Sequence, residues 1–283
     1  MGQTTTAIVR TENPMKTKDL QKFPSAKSIV VSGDIHGDFN RLVFKACVQY
    51  QMRDTLLIVA GDCGFGFENP GYYEDMVRRN AKRLSEANNW IVFVRGNHDN
   101  PAYFDGSTFK HRRMMAVPDY TVLQACGHAI LCVGGAISID RRYRLDKWEA
   151  DRKRAFLAHH PPTENRLAKH YYWADEVPVY DEVRLHEINE KFAIDIVVTH
   201  TAPSFCEMQN KSFLMQFASS DASLLDDVRA ERETMDALFD RLKHDAHPLT
   251  HWYYGHFHQS WHSAMDEVKF SMLDVMEFRE VRN

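Results

Sequence analysis

A chain of 283 residues, 44% hydrophobic and 26% charged, can bury a sizeable core and has the composition of an ordinary soluble globular protein. Its formal net charge of -4 argues against generic nucleic-acid binding, which needs a surplus of phosphate-neutralising Lys and Arg. No apolar run can span a bilayer, and Met1-Gly-Gln-Thr-Thr-Thr6 has no signal-peptide character, so no membrane partner is expected. Five scattered cysteines without C-x-x-C spacing read as reduced thiols and place the chain in the cytoplasm. Fifteen histidines is the unusual count, and it directs attention to metal ligands.

Residues 1–27 are polar, contain Pro14 and Pro24, and predict a partly ordered N-terminal arm. Residues 28–283 lack a Gly/Ser/Pro-rich linker and predict one domain. The first apolar strand is Ser28–Ser32. Phe39, Leu42, Val43, Ala46 and Tyr50 then recur at helical spacing. Residues 55–60 form a second apolar strand, and Tyr73, Met76, Val77, Ala81 and Leu84 mark a second helix. Residues 90–95 are the third strand. Strands apolar on both faces, alternating with helices, predict a buried, mostly parallel sheet.

Further on, residues 120–125 and 129–133 flank Cys126-Gly-His128 as a hairpin, and 134–138 read as a glycine-bearing strand end. Residues 141–183 are aromatic and basic, and they predict an irregular insertion lying over one face. A helix is expected over 183–192, a strand over 193–198 and a loop over 204–220. Residues 224–242 predict a long amphipathic helix, and 250–254 a strand. Two antiparallel strands, 260–265 and 268–278, close the pattern.

Five of the apolar strands end in residues that can bind metal: Asp34 and His36, Asp62, Asn97 with His98, His200, and His256 with His258. A single histidine at a strand end is usually a hydrogen-bonded structural residue, and Gly-Asp is usually a turn. Five coincidences in one chain point instead to a shared site, because ligands of open α/β sheets collect at strand carboxyl ends.

At these residues the chain resembles the calcineurin-like metallophosphoesterases. The family pattern D-x-H, G-D, G-N-H-[D/E], a lone His and G-H-x-H stands here as Gly33-Asp-Ile-His-Gly37, Gly61-Asp62, Gly96-Asn-His-Asp99, His200 and Gly255-His-Phe-His258. The resemblance implies the α/β class and a four-layer α/β/β/α sandwich of two mixed sheets. It implies two divalent metal ions: Asp34, His36 and His258 on the first, Asn97, His200 and His256 on the second, and Asp62 bridging. An oxygen and imidazole set without thiolate suits Mn, Fe or Zn better than Ca or Mg, and Mn is expected first. The implied activity is that of a metal-dependent phosphoric ester hydrolase, in which metal-activated hydroxide attacks phosphorus. Asp62 and His98 are its implied catalytic residues, with His98 over the substrate as charge stabiliser or proton donor.

Arg95 precedes the Gly-Asn-His-Asp motif, as in Ser/Thr protein phosphatases, where this arginine grips phosphate oxygens. The Val-Asp-Arg-Gly of that branch is missing: Cys63-Gly-Phe-Gly-Phe67 follows Asp62, and Asp99 stands where Glu is usual. The resemblance is therefore to bacterial- or phage-type members that share Arg95. Arg141 and Arg142 are expected to supply further phosphate contacts, from a stretch holding ten of the 35 basic residues between positions 110 and 154. The expected partner is a phosphorylated substrate, with phosphomonoesters (phosphoprotein or small phosphate ester) preferred. A phosphodiesterase acting on cyclic nucleotides, dinucleotides or nucleic-acid ends is the alternative, and a non-catalytic metal-binding scaffold a third reading. Tyr171, Tyr172 and Trp173 read either as the floor of a nucleobase pocket or as packing, Asp195 as a ligand orienter or a strand-edge residue, and Cys63 as packing. The oligomeric state stays open.

Overall fold

The computed structural model of the chain describes residues 19–157, 172–206 and 211–282. It opens on β1 (Leu20–Lys22), followed by β2 (Ser28–Ser32), α1 (Phe39–Phe44), β3 (Thr55–Val59), α2 (Pro70–Ala87) and β4 (Trp90–Phe93). β5 (Met114–Ala116), β6 (Thr121–Ala125) and β7 (His128–Val133) lead into α3 (Arg141–Leu157) and α4 (Glu182–Asn189). After β8 (Ile196–Thr199) come α5 (Ser212–Ala218) and α6 (Leu224–His244). The last strands are β9 (His251–Tyr254), β10 (Trp261–Met265), β11 (Val268–Met272) and β12 (Phe278–Glu280).

Two mixed sheets result. The smaller has the order β12-β2-β3-β4-β5, parallel except for β12; the larger runs β1-β6-β7-β8-β9-β11-β10. The apolar runs of β2, β3 and β4 are explained by cover on both faces. Val30, Leu57, Val59, Ile91 and Phe93 pack outward against Leu42 and Val43 of α1 and Tyr73, Met76 and Leu84 of α2. The alternate residues Ile29, Val31, Leu56, Ile58 and Val92 point inward and meet Leu123, Ile130, Cys132, Ile196 and Val198 of the larger sheet. On that sheet's far side Leu131, Val197, Trp252 and Tyr254 lie under Leu185 and Ile188 of α4 and Met235, Leu238 and Leu242 of α6. Three cores between four layers make an α/β/β/α sandwich.

Local signals set the element ends. Asn69 caps α2 by accepting the Tyr72 N–H, with Pro70 in the first turn, and Asn88 ends the helix at φ 54°. Among the described residues no helix is long and apolar enough to cross a membrane.

Several expectations are corrected. Residues 20–22, expected within an arm, form β1 parallel to β6, and Phe23 is buried between the sheets; residues 1–18 lie outside the described residues. The expected strand 268–278 is two strands in different sheets, because a turn after Leu273, with the Glu277 N–H bonded to the Asp274 carbonyl, carries the chain across the sandwich. Residues 141–157 form a helix in place of irregular chain. α3 buries none of its side chains, so it has no apolar stripe to signal it. The remainder of that stretch from 158 to 171, Tyr171 included, falls outside the described residues. Within the expected loop 204–220 lies α5, residues 134–138 are not a strand, and β5 has only three residues, too few for a period.

Ile58 is fully buried between the sheets. Ile58→Ala should cost about 2–5 kcal/mol in urea unfolding, the range for emptying a tightly packed core site. A loss under about 1 kcal/mol would show that the two sheets do not pack through this residue.

Candidate metal centre

The strands that carry the candidate ligands all end at one edge of the sandwich, and the two sheets contribute different chemistry. Asp34, Asp62 and Asn97 follow β2, β3 and β4 of the smaller sheet; His200, His256 and His258 follow β8 and β9 of the larger. Oxygen donors thus come from one sheet and imidazoles from the other, with His36 the exception. Glycines permit the approach. A Cβ on Gly61, whose φ is +93°, would sit 2.1 Å from His200 Nδ1, and one on Gly255 would sit 2.2 Å from Asp34 Oδ1. His36, Asp62, His256 and His258 all hold left-handed backbone, with φ of 46°, 44°, 70° and 51°. Such strain concentrated in one place marks a functional site.

Donor atoms of Asp34, His36, Asp62 and His258 lie within 4.8 Å of one another. His258 Nε2 is 3.0 Å from Asp34 Oδ2 and 3.0 Å from His36 Nε2. On the other side of Asp62, His200 Nε2 is 3.3 Å from Asp62 Oδ1 and 2.9 Å from Asn97 Oδ1, and His256 Nδ1 is 3.1 Å from the same amide oxygen. All seven expected ligands are therefore brought together, in two groups that share Asp62. Imidazole nitrogens and oxygens converging this closely, without thiolate, could hold metal. Cys63 is turned away, its thiol on the Val94 carbonyl at 3.3 Å.

Hydrogen bonds aim these donors. The His200 Nδ1–H donates to the Ala60 carbonyl (2.8 Å), which turns Nε2 towards Asp62. The backbone N–H groups of His98 and His256 donate to Asp62 Oδ1 (2.9 Å) and Asp34 Oδ1 (3.0 Å). Asn97 Nδ2 donates to Ser138 Oγ (2.8 Å), and that hydroxyl donates to Glu176 Oε2 (2.6 Å), so Asn97 presents its oxygen to the site. Asp99 is buried and accepts the N–H groups of Cys63, Gly64, Phe65 and Gly96, which shapes the loop after Asp62.

Burial opposes ionisation of Asp62, yet His98, His200 and His36 hold it well below the usual carboxylate range. Burial likewise works against charge on His200, but Asp62, Asp34 and the Ala60 carbonyl raise its pKa to about 9. His256 is pushed well down by burial and by His200. His98 is lowered by burial, with Asp62 opposing and Arg144 adding to the effect. Burial lifts Glu176 to about 8 against its bonds from Ser138.

The expected phosphate arginines lie elsewhere. Arg95 is 5% exposed, and its guanidinium donates to the carbonyls of Asp175, Glu176 and Val177 and to Asp119 Oδ2 at 2.8–3.2 Å. It holds a neighbouring segment in place, and its donors are spent there. Arg141 donates to Asp221 and Asp227, each at 2.6 Å, which pins α3 to the start of α6. Arg142 is 58% exposed and pairs with Asp146. Among the described arginines of this stretch, Arg144 reaches the site, its Nη2 3.1 Å from His98 Nε2. Its helical phase distinguishes it from Arg141 and Arg142, and a stretch without an apolar period does not reveal that phase. Ser138 and Glu176 have no sequence signal at all. Asp195 accepts the Ala129 N–H (2.8 Å) and sits beside His128 as a strand-edge residue. Tyr172 lines a groove with Arg141 and Asp221, and Trp173 packs near Gly66. A cleft of about 880 Å³ opens between the sheets near Ser28, Thr55 and His251, at the starts of their strands, and holds none of these residues.

A four-layer sandwich with carboxylates and imidazoles gathered at its strand ends defines a phosphoesterase-type α/β protein with a candidate metal centre. The chain belongs to the calcineurin-like phosphoesterases: that family's model matches residues 27–260. Solved structures similar to it include TT1561 of Thermus thermophilus, at 14% identity and a TM-score of 0.48, covering 90% of this chain and 98% of that one. A phosphopantetheinyl hydrolase from Mycobacterium tuberculosis (15%, TM-score 0.40, 91% and 96% covered) and a dimetal phosphatase from Danio rerio (10%, 0.43, 89% and 88%) are also similar. No curated protein matches the chain by sequence.

The Glu176 carboxyl titrates ordinarily at 4.5 and here at about 8, so the folded protein keeps a proton that the unfolded chain releases. Its contribution to stability is therefore most favourable at and below 4.5 and is lost as pH rises through about 8. In metal-free protein, Glu176→Gln should flatten the fall in urea midpoint across that window. Parallel profiles for variant and wild type would rule the effect out.

Proposed function

We propose that the chain is a dinuclear-metal-dependent phosphoesterase, with Asp34, His36 and His258 holding one cation, Asn97, His200 and His256 the other, and Asp62 between them. Manganese is the metal to try first. The observation that carries the reading is the position of Asp62: Oδ1 faces His200 Nε2 at 3.3 Å, while Oδ2 faces His36 Nδ1 at 3.9 Å and His98 Nε2 at 3.6 Å. One carboxylate therefore touches both ligand groups and the non-ligand histidine. When bound, two divalent cations supply Lewis acidity towards phosphoryl oxygens and a nucleophile from water at neutral pH.

The chain's own residues do the rest. Two carboxylates and a neutral Asn97 leave a cation pair with net positive charge, which attracts a phosphate ester. His98 is anchored by its backbone N–H to Asp62, and its ring stands beside the site without joining either ligand group. It is placed to stabilise charge on the phosphoryl group and to pass a proton to the leaving oxygen. Phosphodiester hydrolysis uses the same centre and is the second reading; the buried Arg95 does not speak for monoesters. A non-catalytic scaffold is disfavoured by the full set of seven ligands around His98.

Protein reconstituted with Mn should bind two equivalents by elemental analysis and hydrolyse aryl phosphate esters, and EDTA should abolish turnover. Asp62→Asn should lower the content of both metals and nearly eliminate activity. His98→Ala should keep the metals and slow turnover by roughly 10²–10⁴-fold. Full activity in His98→Ala, or metal-replete protein with no esterase activity, would refute the corresponding assignment.

A further inference from the structure

α3 is a helix with no fully buried side chain. Its start is tied to the site. It begins three residues after Ser138, the partner of Asn97, and Arg141 staples its first turn to Asp221 and Asp227. Arg144 lies one turn on and points towards His98. Its Nε donates to Asp140 Oδ1 at 2.7 Å, which fixes one edge of the guanidinium, and Nη2 reaches His98 Nε2 at 3.1 Å. Its side chain is 16% exposed, unlike the i,i+4 surface pair that Arg142 makes with Asp146 on the same helix. The imidazole nitrogen that Arg144 touches is the one 3.6 Å from Asp62 Oδ2. Arg144 Nη2 thus bonds the non-ligand histidine on the nitrogen nearest Asp62, which places a guanidinium charge at the edge of the candidate centre. A guanidinium and an imidazole side by side suit an anion that bonds both.

Resting on the phosphoesterase reading, we propose that Arg144 takes non-ester oxygens of the substrate's phosphoryl group and makes the site prefer phosphomonoesters to diesters. A monoester dianion offers three non-ester oxygens and two charges; a diester offers two oxygens and one charge. The third oxygen is the one a guanidinium beside His98 can take, and a planar fork suits it better than an ammonium does. On a diester that position carries a second ester arm, and Arg144 gains no charged partner. The specificity arginine thus comes from α3, outside the metal motifs, while Arg95 serves the scaffold.

The test uses Mn-loaded protein, wild type and the variants Arg144→Ala, Arg144→Lys and Arg142→Ala. It reads kcat/KM on p-nitrophenyl phosphate and bis(p-nitrophenyl) phosphate, the Kd of inorganic phosphate by calorimetry, and metal content. Arg144→Ala should lower monoester kcat/KM by roughly 10- to 100-fold, as for loss of a charged hydrogen bond, and weaken phosphate binding by a similar factor. Diester rates should change by less than about threefold, with metal content intact. Arg144→Lys keeps the Asp140 ion pair and should recover part of the loss, guanidinium ion should partly rescue Arg144→Ala, and Arg142→Ala should match wild type. Equal losses on both esters with unchanged phosphate affinity would mean that Arg144 only positions His98, and would overturn the proposal. Unaltered kinetics in both Arg144 variants would overturn it too, leaving the phosphoesterase reading intact. Metal-replete wild type that hydrolyses neither ester would overturn both.

Discussion

Two carboxylates, Asp34 and Asp62, sit almost wholly buried at the ends of adjacent strands, and much of the molecule is arranged around making that tolerable. Isolated buried charges are expensive, so each must be met by donors or cations. The smaller sheet cannot meet them alone. Its own contributions are the His98 backbone N–H and the rings of His36 and His98; the His256 N–H and the rings of His200, His256 and His258 come from the larger sheet. The inter-sheet core that packs Ile29, Val31 and Ile58 against Ile196 and Val198 therefore does more than stabilise the fold. It sets the distance between oxygen donors on one sheet and nitrogen donors on the other.

A second tier supports the first from a less regular part of the chain. Arg95 grips the carbonyls of residues 175–177, and that segment carries Glu176, which orders Ser138 and through it Asn97. Arg95 thus acts on the candidate ligand Asn97 by way of a segment about eighty positions away. Asp99 works similarly at shorter range, collecting four backbone N–H groups and fixing the turn that holds Asp62.

The parallel strands are legible in the sequence because cover on both faces makes them uniformly apolar, and that physical cause leaves a run of Val, Ile and Leu. The candidate ligand residues are legible because the glycines beside them record a steric need: Gly61 clears room for His200, Gly255 for Asp34 and Gly33 for the Asp274 carbonyl. α3 is not legible, since it buries nothing and so has no stripe. The split between β11 and β12 is hidden because both halves read as strand and only the turn at 274–277 reveals the change of sheet. The use of Arg95 cannot be read, because its partners are mostly main-chain carbonyls, which any residue supplies. Charge composition points to the basic stretch around α3, but only the helical phase separates Arg144 from its neighbours.

The turn between β11 and β12 has a bearing on biosynthesis. The Gly33 N–H donates to the Glu277 carbonyl and the Met276 N–H to the Asp34 carbonyl, while β12 pairs along β2. The loop bearing Asp34 is thus braced by residues made long after it, from the far end of the sequence. A nascent chain that stops short of residues 274–280 has its Asp34 loop unbraced and one edge of β2 unpaired. The Asp34 side of the candidate centre is therefore complete only once residues 274–280 have docked against β2 and the loop that follows it.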